Sequence, residues 1–321
     1  MRPALLVLCY ALAVAWVLPL PLRRLSEPGL SPRLGLAAWL TATVSVLACA
    51  MAVMGLLARA AVSGWPAFAR TVCESVSAGT CPPAVYRSVA YELGLAGATF
   101  AGGIVLIVLG CRCGRSLRRA SIRTRAHAEA VRITGRITGR ITGRPAGGEN
   151  PAFVLDATRP AVYCVPGRQP TIVLTTAALA ILDPPQLAAV LAHERAHLAS
   201  RHHVLLAVTR SLAAVAPAVP LFARGTAEVA RLAEMRADDV AARRGGRRTL
   251  LAALLAMSSS GAATQAPAPW LAATGGVVAA RARRLADPPA HTRRVRHGLA
   301  LAALALAVAA ASVLVIACSL V

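Results

Sequence analysis

At 321 residues, 57% of them hydrophobic and with a positive mean hydropathy, the chain is too apolar for an ordinary soluble domain. Its formal charge of +22 comes from 35 basic residues against 13 acidic ones, and every basic residue is arginine. No nucleic-acid-binding motif accompanies the arginines and aromatics are only 4% of the chain, so direct nucleic-acid binding is not expected and membrane lipid is the partner this charge implies.

Residues 1–58 carry two apolar runs, Ala4 to Leu20 and Leu34 to Ala58, each long enough for a transmembrane helix. Pro19 and Pro21 are expected to break the first at its exit, and the run reads as an uncleaved helix. Residues 59–92 read as an extracytoplasmic loop in which Cys73 and Cys81 could close a disulfide. A third transmembrane helix is expected over 93–111, where Gly94, Gly97, Gly102 and Gly103 permit close helix approach. Residues 112–150 read as a basic low-complexity linker, with Arg132-Ile133-Thr134-Gly135 repeated twice more up to Gly143.

From residue 151 the pattern changes. Ala152 to Asp156, Ala161 to Val165 and Thr171 to Thr175 read as short strands, the last two joined by a hairpin turn over 166–170. Asp183-Pro184 then opens a helix with an apolar face at Leu187, Val190, Leu191 and Leu198. Val204 to Ala223 is apolar but holds Arg210, Pro217 and Pro220, which argues for a buried helix or a membrane-dipping hairpin over a span. Residues 298–321 form a fourth apolar run. Arginines cluster at 23–33, 112–125 and 281–296, so the positive-inside rule puts these segments in the cytoplasm and the loop 59–92 outside. The expected class is a mainly α membrane protein with about four transmembrane helices and a cytoplasmic α+β domain over 151–297.

The chemistry lies in His193-Glu194-Arg195-Ala196-His197. Two histidines four apart on a helix project from one face, one turn apart, so both rings can reach one zinc ion. Glu194, turned away from that line, is placed as a general base. A catalytic zinc needs a third protein ligand. His203 stands at one known spacing, but Ser200 occupies the position where that pattern needs a glycine turn, and the helix is expected to run on past Leu198 and carry His203 away. Glu234 is the better candidate; Asp238, one turn later, would hold a ligand histidine through its free ring N–H. His202 and His203 are also candidates to assist the oxyanion.

Ala192 to His197 followed by Glu234-x-x-Ala237-Asp238 resembles the gluzincin pattern of integral-membrane zinc peptidases, nearest the BlaR/MecR antirepressor type and more distantly HtpX-like enzymes. The resemblance implies a zinc metalloendopeptidase in a bacterial cell membrane, its catalytic domain facing the cytoplasm. It also implies a protein or peptide substrate, a transcriptional repressor among the expected ones, which pairs by main chain with an edge strand at Thr171 to Thr175. No Ser-x-x-Lys motif follows the last apolar run, so the penicillin-binding sensor domain of the BlaR/MecR type, and β-lactam sensing with it, is not carried over. Quality-control proteolysis of the HtpX-like kind is the alternative, and a non-catalytic transducer with a structural metal is a third reading. Glu194 counts against the last, because a structural zinc has no use for it.

Overall fold

The computed structural model describes residues 2–77, 83–138, 152–167, 170–259 and 275–320. Helix α1 (Arg2–Leu12) runs through a π-helical turn at Ala13–Val17 into α2 (Pro19–Ser26). The two segments bend by 42° at Leu18 without separating. Pro19 has no N–H to offer, and Leu18 donates instead to the Ala13 carbonyl five residues back. The expected break is therefore a kink.

Helix α3 (Pro32–Ser77) and helix α4 (Pro83–Thr138) exceed the runs that predicted them. The segment read as an extracytoplasmic loop is helical to Ser77 and again from Pro83, and Cys81 lies outside the described residues, so the Cys73–Cys81 pair does too. The segment read as a linker from 112 continues α4 as far as Thr138. Alanine and arginine dominate there, and both extend a helix at little cost once its first turns exist.

Among the described residues, three helices are long and apolar enough to cross a membrane: α3, α4 and α11 (His291–Leu320). The bent α1–α2 pair makes a fourth. Tyr10 on α1 donates to the Val308 carbonyl on α11, which locks the first and last of them together.

Strands β1 (Ala152–Leu155), β2 (Val162–Val165) and β3 (Thr171–Thr175) form a sheet in the order β1-β3-β2. The β2–β3 pairing is the expected antiparallel hairpin, but β1 pairs parallel to β3 on its other side. Thr171 to Thr175 is therefore the central strand and not the edge strand the resemblance implied. Strand spacing predicted three strands but could not say which pair β1 would extend.

Thr175 caps α5 (Thr176–Ile181) by accepting from the Ala178 N–H. Asp183 caps α6 (Pro184–Ala199) with a reciprocal Gln186 bond, a capping box with Pro184 in the first turn. Helix α6 stops at Ala199 instead of running on. Arg201 takes a left-handed backbone, φ 49° and ψ 37°, and α7 (His202–Val215) starts at once. Nothing in the side chain of arginine announces such a turn.

Helix α7 spans 14 residues, too short for a bilayer, and a turn at Ala216–Val219 returns the chain into α8 (Pro220–Gly245). Helices α9 (Arg247–Ser259) and α10 (Gly275–Ala286) complete this part. One hydrophobic core joins the membrane helices to it: Leu36, Trp39 and Ala42 of α3 pack with Leu206 of α7, with Leu221, Val229 and Leu232 of α8, and with Leu301 of α11.

Candidate metal centre

The capping box fixes where α6 begins, and its apolar side, Leu191 and Leu198, packs under Cys164, Ile172 and Leu174 of the sheet. That contact sets the rotation of the helix and turns His193 and His197 towards α8. Their Nε2 atoms stand 3.1 Å apart. Glu234 on α8 places Oε2 3.4 Å from His193 Nε2 and Oε1 3.4 Å from His197 Nε2. Ligand atoms held about 2.0–2.1 Å from a tetrahedral zinc are roughly 3.3–3.4 Å from one another. The three side chains thus already lie at the spacing of a shared ion, and all are buried or nearly so. Two imidazoles and one carboxylate at this spacing could hold a metal ion, and the donor set fits zinc.

Asp238, one turn beyond Glu234 and 1% exposed, lies 3.0 Å from His193 Nδ1. His203 is not among the clustered groups. It leaves the site because α7 starts on a new axis after Arg201, not because α6 continues. The prediction about His203 and the reason given for it part company here.

Two residues that sequence reasoning did not assign to the centre join it. Arg281 of α10 places its Nε and Nη2 2.8 and 2.7 Å from the two oxygens of Asp238, and its Nη1 2.9 Å from Glu234 Oε2. His202 sets its Nδ1 3.0 Å from His197 Nδ1, the rings edge to face. Arg281 carried no local signal, since it reads as one of a run of cytoplasmic arginines. His202 was visible only as a candidate oxyanion helper.

The electrostatics follow from burial and pairing. Burial works against the charge on Glu234 and Asp238, but His197, Arg281 and His193 outweigh it at Glu234, and Arg281 and His193 at Asp238, so both carboxyls are held well below their usual range. Burial opposes protonation of His193 as well; the carboxylates of Asp238 and Glu234 overcome it and push that ring up to about 9. His197 is pushed down to about 3 and His202 down to about 4, chiefly by burial, so both rings are neutral near pH 7. Glu194 rises to about 7, again mainly through burial. Its carboxylate accepts hydrogen bonds from the thiol and the backbone N–H of Cys164, and that thiol is itself raised by burial. Strand β2 therefore orients the glutamate beside the ligand histidines.

Residues 142–219 match the family model described as Peptidase family M48. The match takes in the sheet, the His193–His197 helix and α7, and ends before Glu234 and Arg281. No curated protein and no solved structure matches the chain. This segment is thus similar to a metallopeptidase family, and it sits on a mostly helical scaffold with three to four helices suited to a membrane.

Proposed function

We propose that the chain is a membrane-embedded zinc metalloendopeptidase of the BlaR/MecR type, which cleaves a cytoplasmic or membrane protein in regulated proteolysis. The observation that carries this reading is the triangle of His193, His197 and Glu234 with Glu194 adjoining it. His193 and His197 would hold the zinc through Nε2 and Glu234 through a carboxylate oxygen. The ion, when bound, supplies Lewis acidity towards the scissile carbonyl.

The remaining work falls to side chains of this chain. Glu194, buried and gripped by Cys164, takes a proton from the attacking water as its oxygen adds to the carbonyl carbon. It then returns that proton to the departing amine as the C–N bond breaks. Asp238 and Arg281 hold the ligands in place from behind. With β3 in the middle of the sheet, the outer strand next to the base is β2, where Cys164 directs its N–H at Glu194. A substrate paired by main chain would lie along β2.

The order of elements supports the finer assignment: two apolar helices, a third, a peptidase segment and a last apolar helix follow the plan of the BlaR/MecR type. The cytoplasmic orientation rests on arginine placement. The test is purification of the full chain in detergent, followed by metal analysis and cleavage of casein or of the chain itself. Wild type and Glu194→Ala should each carry about one zinc, while the variant loses cleavage by roughly 10²–10⁴-fold. Undiminished cleavage by the variant rejects the assigned base.

A further inference from the structure

The two ligand histidines are held from behind by different chemistry. His193 has the Asp238 carboxylate at its Nδ1, whereas His197 has another imidazole, His202, at 3.0 Å. His202 is 2% exposed and stands at the first position of α7, placed there by the left-handed turn at Arg201. Its Nε2 is buried and meets no hydrogen-bond partner among the described residues. A buried ring with one nitrogen unpaired is costly to keep, and its other nitrogen faces a ligand.

Building on the zinc reading above, we infer that His202 is a positioning residue for the metal centre, acting as the acceptor that fixes the tautomer and ring angle of His197. Only one direction of this bond serves an ion. If His202 donated from Nδ1, His197 would have to accept at its own Nδ1 and carry its proton on Nε2, the nitrogen that faces Glu234 and His193. No lone pair would then remain for zinc. With His197 protonated at Nδ1 and donating, Nε2 is free, and His202 keeps its own proton on its Nε2. A neutral acceptor also differs from the carboxylate behind His193, because it fixes the ring without adding charge.

The experiment measures zinc affinity of the full chain in detergent, by competition with a chromophoric chelator, and the visible spectrum of the cobalt-substituted protein. Three variants separate hydrogen bonding from packing. The amide oxygen of asparagine falls close to the position of Nδ1, that of glutamine close to Nε2, and leucine fills the space without an acceptor. His202→Leu and His202→Gln should weaken zinc binding by roughly 10–100-fold and alter the cobalt spectrum. His202→Asn should stay within about threefold of wild type. Should the leucine variant fail to fold, the asparagine–glutamine pair decides alone. Equal affinity for glutamine and asparagine variants, whether both strong or both weak, overturns the inference. Failure of the wild type itself to bind zinc removes the peptidase reading and is seen before any variant is made.

Discussion

Buried charges from three helices meet here: Glu194, Glu234 and Asp238 are acidic, and Arg281 and the raised His193 ring oppose them. Three carboxylates at this depth would not stay ionised together without a cation. Arg281 supplies one, and a divalent ion that displaced the His193 proton would bring the count to neutral. Because Arg281 engages Glu234 through Oε2, Oε1 would be the freer oxygen to hold an ion. Glu234→Ala should therefore abolish zinc binding, exceeding the roughly 10–100-fold loss usual for an outer partner, while His203→Ala leaves it intact. Metal analysis after dialysis against a weak chelator checks both. Zinc retained without Glu234 and lost without His203 would mean that the spacing in sequence, and not the packing of α8, selects the third ligand.

At the scale of elements, α8 has two working faces. Glu234 and Asp238 look towards α6, while Glu228, Arg231, Leu232, Met235 and Asp239 engage the turn between α2 and α3 and its neighbours. Arg231 donates to the carbonyls of Ser26 and Glu27, and Arg284 from α10 joins Asp239 to the Gly29 carbonyl. Gly29 has φ +61°, and a Cβ there would run into Met235 Sδ. Gly29→Ala should cost about 1–3 kcal/mol, of which Gly29→Asn recovers the backbone part, since asparagine tolerates a left-handed backbone and alanine does not. Denaturant unfolding in detergent reads both, and an alanine variant as stable as wild type would show that the turn does not clamp α8.

Much of the candidate site was legible in the sequence, because Asp183-Pro184, the apolar stripe of α6 and the two histidines are all local patterns. The rest was not, for physical reasons. The αL turn at Arg201 has no glycine or asparagine to mark it. The parallel partner of β3 is chosen by the sheet as a whole. The helical course of 59–77, even with Pro66 inside it, depends on α3 being long enough to absorb one missing hydrogen bond. Arg281 lies 43 residues beyond Asp238, so only the packing of α10 on α8 makes it part of the centre.

Taken whole, the peptidase part is not a body on a tether. Trp39 of α3, fully buried, packs on Gly225 of α8, where a Cβ would come within 3.2 Å of its ring, and donates to Ser26. Ser116 of α4 touches Ser211 of α7, and Ser31 donates to the Arg294 carbonyl at the start of α11. These contacts draw the three arginine groups of the sequence, near 23–33, 112–119 and 293–296, to the end of the helices that holds the metal centre. At the opposite end Arg59 donates to the Leu320 carbonyl. With 46 residues α3 is roughly 69 Å long, more than twice the thickness of a hydrocarbon core, so it must project from the bilayer. In the proposed orientation, which the positive-inside rule favours, the catalytic end would face the cytoplasm and Arg70, near the far end of α3, would lie outside. Both Arg70 and Arg244 are exposed, which makes them suitable reporters. In intact cells a membrane-impermeant maleimide should modify Arg70→Cys at once and Arg244→Cys only after permeabilisation, as read by peptide mapping. The opposite order would turn the enzyme outward and exclude cytoplasmic substrates. Labelling of both from one side would place residues 70 and 244 on the same face of the bilayer and break the four-span arrangement.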